Sequence, residues 1–282
     1  MIFTKKLRMM LFMTVKQAKY PSALTSYDVL KALAVLIMIV DHIGAYFYPD
    51  DLIWRAVGRS CVPMWFFLIG YARSRLFGMD LWIGFVILVV ADVIIGMGLL
   101  PLNIMLSMLI TRFVLVQIDR LPEDRFLRGP GFKALVLTLA VCALPTAMMW
   151  DYGSLGVILA LLGWLVRKYQ DGNPFVSKNF VFGYAAVALV IFALVQLIGF
   201  GFSESEFLLM ALLCAVVIHI LPFFKSDWQF SGAGMWIRPA IWCIQFAGRN
   251  TLQIYVVHLL LFKIAAFFMM PAEYGFLTLK WF

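Results

Sequence analysis

Charged side chains are scarce in this sequence. Asp, Glu, Lys and Arg make up 13% of its 282 residues, whereas hydrophobic residues make up 64%. Soluble domains carry about 25% charged residues, so these proportions exclude an ordinary soluble protein. The apolar residues form blocks of about 20 residues, the length at which a helix crosses the core of a bilayer. Strands of a membrane barrel are shorter and alternate apolar with polar residues. The sequence therefore predicts an all-α polytopic integral membrane protein.

Histidine and cysteine are also scarce. The three histidines fall in separate apolar segments, and the sequence has neither an HExxH pattern nor a glycine-rich phosphate loop. The four cysteines lie in or beside apolar runs, without the spacing of a disulfide framework or a zinc site. We interpret them as small buried residues, since a free cysteine packs like one. The sequence therefore predicts no metal site.

The net charge of +8 is unevenly distributed along the chain. In a soluble protein it would suggest a nucleic-acid partner, but in a membrane protein Lys and Arg collect in cytoplasmic loops. Of the 23 basic residues, 16 lie in the N-terminal segment or in every second loop. The other loops are almost free of them: residues 48–51, 100–103, 150–153 and 201–206. We therefore predict a cytoplasmic N-terminus and no nucleic-acid partner.

The apolar blocks predict a helical bundle of about ten transmembrane helices, with nine as the alternative. The nine clear spans are residues 28–47, 60–77, 81–99, 102–118, 133–149, 153–168, 180–200, 206–223 and 251–270. A short element at 235–248 contains Arg238 and Pro239, and it is either a tenth span or a half-buried helix. Ten spans put the C-terminus in the cytoplasm, and nine put it outside. We expect residues 1–24 to be a basic cytoplasmic arm and residues 25–282 to be one transmembrane domain.

The first apolar stretch, residues 26–49, contains four ionisable side chains. Lys31 and His42 are eleven residues apart, which is three helical turns plus about 20°, so they share one face about 16 Å apart. Asp41 adjoins His42, and Asp28 precedes Lys31 by one turn. Ionisable groups inside spans are costly and usually functional. The alternatives are a snorkelling lysine, a packing histidine and a hydrated aspartate at the helix end.

Further polar side chains lie in the second and fourth spans. Arg59 begins the second span, where its guanidinium could pair with Asp41 or Asp51 or act as an interfacial anchor. Three residues of the fourth span repeat every four positions: Asn103, Ser107 and Thr111. They could line a polar path or bond another helix. Arg112 lies near the middle of that span.

The C-terminal stretch "FAGRNTLQIYVVHLLLFK" is also rich in polar groups. It supplies Arg249, Asn250, Thr251, Tyr255 and His258. His258 lies at the depth of His42 if 235–248 and 251–270 both cross the membrane, and nearer the cytoplasm if only one does. His219 is isolated in the eighth span, and we predict a packing role for it.

Several stretches together resemble the TraX family: "DVLKALAVLIMIVDHIG", "GRSCVPMWFFLIGYARS", "LPLNIMLSMLITR" and "WDYGSLGVILALLGWL". The similarity covers most of residues 27–165 and recurs at "GRNTLQIYVVHL". That family is named for a protein that N-acetylates conjugative pilin. It is similar in turn to the larger acyltransferase-3 group, in which a basic residue and a histidine on the first helix are separated by ten residues. In this sequence the pair is Lys31 and His42, while Ile69 replaces a serine of that group.

The resemblance implies an acyl-CoA-dependent acyltransferase in the bacterial inner membrane. It would move an acyl group, acetyl by default, from cytoplasmic acetyl-CoA or another acyl-CoA to a hydroxyl or amine at the membrane or its outer face. A pilin-like peptide, a glycan or a lipid could be the acceptor, and the membrane lipids are further partners. No metal is implied.

The same resemblance suggests roles for individual residues. His42 would be the general base or acyl carrier, with Asp41 fixing its tautomer. Four basic side chains are candidates for binding the donor: Lys31, Arg59, Arg73 and Arg112. Another four are candidates for binding the acceptor or the oxyanion: Asn103, Tyr255, His258 and Arg249.

Two other classes of function fit the same polar residues. A small-solute or lipid transporter, such as a flippase, could use them as its pathway. Transporters often contain inverted repeats and broken helices in matched halves, and we find neither pattern in this sequence. A structural assembly factor would tolerate changes at His42.

Overall fold

The computed structural model describes residues 23–76, 78–231, 236–270, 276–277 and 280–281. The N-terminal arm predicted at residues 1–24 lies outside these ranges except for Ala23 and Leu24. Two short strands pair antiparallel, β1 (Leu24–Thr25) and β2 (Gln229–Phe230). The helices in chain order are α1 (Ser26–Phe47), α2 (Ile53–Gly58), α3 (Cys61–Tyr71), α4 (Met79–Ile95), α5 (Ile104–Asp119), α6 (Glu123–Arg128), α7 (Pro130–Val141), α8 (Ala143–Ala147), α9 (Leu155–Gln170), α10 (Lys178–Phe200), α11 (Glu204–Ile220), the 3₁₀ turn Leu221–Phe223, α12 (Arg238–Arg249) and α13 (Thr251–Met269).

Helix α1 begins at a capping box. The Thr25 hydroxyl accepts the Asp28 backbone N–H at 3.2 Å, and the Asp28 carboxylate accepts the Thr25 N–H at 3.1 Å. These bonds satisfy two of the amides that a helix start leaves without partners. The helix then continues for 22 residues, which is about 33 Å. Asp28 therefore caps the start of α1.

Four helical segments of the described residues are long and apolar enough to cross a membrane: Ser26–Phe47, Lys178–Phe200, Glu204–Phe223 and Thr251–Met269. Helices α4, α5 and α9 have 17, 16 and 16 residues, or about 24–26 Å, against about 30 Å of hydrocarbon. The expected fifth span is interrupted at Cys142, between α7 and α8. These helices support an all-α polytopic membrane protein. The count of about ten spans and the cytoplasmic N-terminus stay predictions.

Helix α9 lies at the centre of the bundle. Every residue from Leu155 to Arg167 is buried, as expected for a helix with neighbours on all sides. It packs against α3 with the two backbones in direct contact. A side chain at Gly163 would overlap the carbonyl oxygen of Phe67, and one at Gly70 would overlap that of Ala160. Small residues at helix interfaces permit this close approach.

Helix α13 runs parallel to α1. Arg249, just before α13, binds Asp28 at the start of α1 at 2.9 Å, and the ring of Phe262 contacts that of Phe47 at the end of α1. The two helices therefore start at the same side of the membrane. The element expected at 235–248 is the 12-residue α12, about 18 Å long and thus shorter than a full span. Because α13 is aligned with α1, the depth of His258 does not depend on how α12 is placed.

The contact between α3 and α9 predicts a difference between two glycine-to-alanine substitutions. Gly163→Ala should destabilise the protein by about 1–3 kcal/mol, since an added methyl group in a filled core forces the backbones apart. The measurement is chemical unfolding in mixed micelles of lipid and detergent.

Gly183→Ala on α10 is the matched control. A Cβ there meets nothing within 4 Å, and alanine is favoured over glycine within a helix by about 1 kcal/mol. Its stability should be unchanged or slightly higher, and equal losses at the two positions would contradict the close packing of α3 and α9.

Candidate functional site

A cavity of about 370 Å³ follows α1 through the bundle, bounded also by α3, α5 and α13. Lys31 and Arg112 line it near the start of α1, and His42 and Asp151 line it towards the end of that helix. The wall between these ends is mainly apolar and includes Met38, Val62, Trp65, Leu68, Ile69, Met105 and Met108. The cavity therefore joins a basic end and a histidine that lie about 16 Å apart along α1.

His42 forms a hydrogen bond with a second histidine. Its Nδ1 lies 2.7 Å from Nε2 of His258, and the two rings are stacked with centroids 5.0 Å apart. Nδ1 of His258 lies 2.6 Å from the carbonyl oxygen of Ile254, one turn earlier in α13. The three groups form a chain that ends at a backbone acceptor.

The direction of these bonds follows from the carbonyl group. A carbonyl oxygen can only accept, so Nδ1 of His258 carries a hydrogen. In neutral His258, Nε2 is then an acceptor, and the hydrogen between the two rings belongs to Nδ1 of His42. Nε2 of neutral His42 consequently holds a free electron pair. Among the described residues, no hydrogen bond to that nitrogen is recorded.

Asp41 is bound to two arginines. Its carboxylate accepts from Arg55 at 2.8 Å and from Nε of Arg59 at 3.1 Å, with a second short bond to Arg59. The expectation that Asp41 fixes the His42 tautomer is therefore wrong, and His258 contacts Nδ1 of His42 in its place. Adjacent helical residues point about 100° apart, which directs the two side chains of α1 to different neighbours.

Arg59 is committed to structural contacts. The residue is buried, with 4% of its surface exposed. Besides binding Asp41, its guanidinium lies over the rings of Tyr152 and Phe200, at 5.4 and 4.9 Å from their centroids. Of the two partners predicted for Arg59, Asp41 and Asp51, the structure shows Asp41. A role of Arg59 in binding the donor or an oxyanion would have to compete with these contacts.

A second carboxylate, Asp151, balances the charge of this cluster. It lies in the turn before α9, where its N–H donates to Leu102 at 2.7 Å and its carbonyl accepts from Ser107. Burial raises the pKa of the Asp151 carboxyl to about 6, and the nearby Arg59 and Arg55 oppose that rise. Two arginines and two aspartates thus give the His42 end of the cavity no net charge when all are ionised.

The basic end of the cavity contains two cations. Arg112 donates to the carbonyl of Leu76 at 2.5 Å, and Lys31 lies within electrostatic range of Asp28 and Arg112. Arg73 lines a second, polar cavity of about 450 Å³ and pairs with Asp171 at 2.6 Å.

Arg75, another basic side chain near this end, bonds the carbonyls that end α3, those of Ile69, Gly70 and Ala72. Arg75 therefore holds the end of that helix. Of the four predicted donor-binding residues, Lys31, Arg59, Arg73 and Arg112, the structure brings Lys31 and Arg112 together at the cavity.

The predicted acceptor or oxyanion residues fall into two groups. Tyr255 lines the cavity, with its ring 5.8 Å from that of His42, and His258 contacts His42 directly. Asn103 caps α5 by accepting the Met105 N–H at 3.2 Å. Arg249 binds Asp28 at the start of α1. In the part of the chain that the structure describes, Asn103 and Arg249 do not line the cavity.

A buried ion pair that sequence reasoning missed lies next to the histidines. Lys263 of α13 binds Asp92 of α4, and its ammonium group lies over the ring of Tyr46 at 5.6 Å. Asp92 lies inside the expected third span, and an acidic residue at such a position is a functional or pairing signal. No such signal marked Asp151, because an acid in a loop is normally hydrated.

These features define a nearly all-α protein with four helices in the described residues that are long and apolar enough to cross a membrane, a charge-balanced polar site and a paired histidine inside the bundle. The family model described as "TraX protein" matches residues 26–265, and the chain belongs to the TraX family. It is 25% identical over 260 residues to "Uncharacterized protein RP591" of Rickettsia prowazekii (strain Madrid E), covering 89% of this chain and 96% of that protein. No solved structure matches.

The Asp41 cluster predicts a large loss of stability when Arg59 is replaced. Arg59→Leu leaves a buried carboxylate with half of its partners, and breaking a buried pair is destabilising by about 3 kcal/mol or more. Unfolding in mixed micelles measures this loss. The control is Arg73→Ala, which removes a pair whose arginine side chain is 81% exposed and should change stability by less than about 1 kcal/mol. Similar effects of the two substitutions would argue against the cluster.

Proposed function

We propose that the protein is a transmembrane acyltransferase that uses acyl-CoA. It takes an acyl group, acetyl by default, from a cytoplasmic donor and passes it to a hydroxyl or amine at the membrane or its outer face, in the bacterial inner membrane. The observation that carries the proposal is one cavity that joins two cations, Lys31 and Arg112, to the free electron pair of His42.

The successive parts of an acyl-CoA match the successive parts of this cavity. Its phosphates suit Lys31 and Arg112, because charge-assisted hydrogen bonds to phosphate are strong. Its slender pantetheine arm suits the apolar wall, and the thioester then reaches His42 about three helical turns away. A cavity of about 370 Å³ is also within the usual size range of ligand pockets, about 300–1,000 Å³.

At the thioester, Nε2 of His42 acts as a general base. It takes the proton of the acceptor while the acceptor oxygen or nitrogen attacks the carbonyl carbon. The C–S bond then breaks, the new C–O or C–N bond remains, and the proton passes to the sulfur. In a second form of the mechanism Nε2 itself attacks and carries the acyl group. Both forms need the electron pair on Nε2. We expect the hydroxyl of Tyr255, which also lines the cavity, to donate to the oxyanion.

The first test is turnover of labelled acetyl-CoA by the purified protein in native membrane lipids. Wild-type protein should hydrolyse the donor slowly or transfer its label. His42→Ala should lower the rate by about 10²- to 10⁴-fold, the usual contribution of a general base, while the protein still folds and inserts.

His219→Ala is the matched control for this test. His219 lies on α11, where it contacts the rings of Phe182 and Phe223. It should leave turnover unchanged. Full activity of His42→Ala would refute the mechanism. If the wild-type protein neither binds nor turns over acetyl-CoA, that result would favour a transporter.

A second test separates binding of the donor from chemistry. Lys31→Ala should raise the KM for acetyl-CoA by about tenfold, since loss of a charged hydrogen bond is worth about 1.5 kcal/mol or more, with little change in kcat. Lys178→Ala is the control, because Lys178 begins α10 and lies over the Phe182 ring. An unchanged KM would assign Lys31 to snorkelling at the interface.

A further inference from the structure

We propose that His258 is the proton-accepting partner of His42. In this pair His258 takes the place of the carboxylate that commonly orients a general-base histidine. The inference rests on the proposed acyl transfer and adds a positioning residue to it. Its basis is the chain from Nε2 of His42 through its Nδ1 and the His258 ring to the carbonyl oxygen of Ile254.

The orientation of His258 is held from both sides. Only 8% of the residue is exposed, its ring lies edge-on to those of Tyr255 and Phe262, and its Nδ1 is bound to Ile254 at 2.6 Å. The ring therefore presents Nε2 to His42 as a fixed acceptor at 2.7 Å. This bond keeps the hydrogen of neutral His42 on Nδ1 and the electron pair on the nitrogen that reacts.

Two carboxylates near the pair already have partners. Asp41 binds Arg55 and Arg59, and Asp92 binds Lys263. Among the described contacts, none joins a carboxylate to either ring. Arg55, Arg59 and Lys263 lie within electrostatic range of His42, so a proton held by His42 alone would face three cations. A second imidazole gives that proton another ring to occupy.

The proton balance of the reaction closes without another reactant. His42 takes the proton of the acceptor on Nε2, and its Nδ1 proton moves to Nε2 of His258. His258 is then cationic, with its Nδ1–H directed at the Ile254 carbonyl. When the C–S bond breaks, Nε2 of His42 gives its proton to the sulfur and His258 returns a proton to Nδ1. The two rings hold one added proton between them, since two cations this close would repel.

The test compares two substitutions of His258. In His258→Gln the side-chain oxygen can still accept from Nδ1 of His42 but cannot take up a proton. We expect an unchanged KM for acetyl-CoA and a kcat lower by about 10²-fold. His258→Leu removes the acceptor as well and should lower kcat further. A merely structural role predicts no difference between the two variants once both are folded. His219→Leu is the control variant, and it should keep wild-type activity.

A second readout does not depend on catalysis. The chain has three histidines, so ¹⁵N-histidine labelling gives three rings whose tautomers can be read by NMR, with His219→Leu assigning one of them. Wild-type protein should show His42 and His258 with hydrogen on Nδ1. Hydrogen on Nε2 of neutral His42 would overturn the inference even if the variants fail to fold. An active wild type with an unaffected His258→Gln overturns the histidine pair alone, whereas an inactive wild type overturns the proposed function with it.

Discussion

The binding of Asp41 by Arg55 and Arg59 is the interaction on which the rest of the site depends. A buried carboxylate must be paired. Gly58 also lies so close to Asp41 that a side chain at Gly58 would overlap the Cα and side chain of Asp41. The pairing therefore ties α1 to α2 and directs Asp41 away from the next residue of the helix. The partner of His42 is therefore a residue of α13, His258. The position of one carboxylate thus decides which group can bind His42.

Two further ion pairs set the distance between the histidines. Asp28 binds Arg249 at the start of α1, while Lys263 binds Asp92 and lies over Tyr46 towards its end. Helices α1 and α13 are thereby held near both ends, with their histidines between these points. In a membrane, where helix association gains little from apolar burial, such polar contacts determine which residues face each other. The short bond between His42 and His258 is a consequence of this parallel alignment.

Helical periodicity explains which parts of the site could be predicted from sequence. Lys31 and His42 were expected on one face at a known spacing, because both lie on a single helix, and the structure places both at one cavity. Periodicity does not give the rotation of one helix against another, so the partners of Asp41 and His42 could not be derived. The number of spans stays a prediction for a related reason. Buried helices such as α9 need neighbours rather than length, and an apolar run in the sequence does not reveal how many of its residues become helical.

The charges along the cavity impose a direction on any elongated ligand. At the His42 end, Asp41 and Asp151 offset Arg55 and Arg59, so that region has no net charge when all four are ionised. At the other end Lys31 and Arg112 carry two positive charges. Asp80, near the start of α4, also lines the cavity and offsets one of them, while Asp28 is already bound to Arg249. A donor with an anionic end and an uncharged end would therefore be held with its anion at Lys31 and Arg112. Its uncharged acyl group would then lie at the electron pair of His42, which is the order that the proposed transfer from a cytoplasmic donor requires.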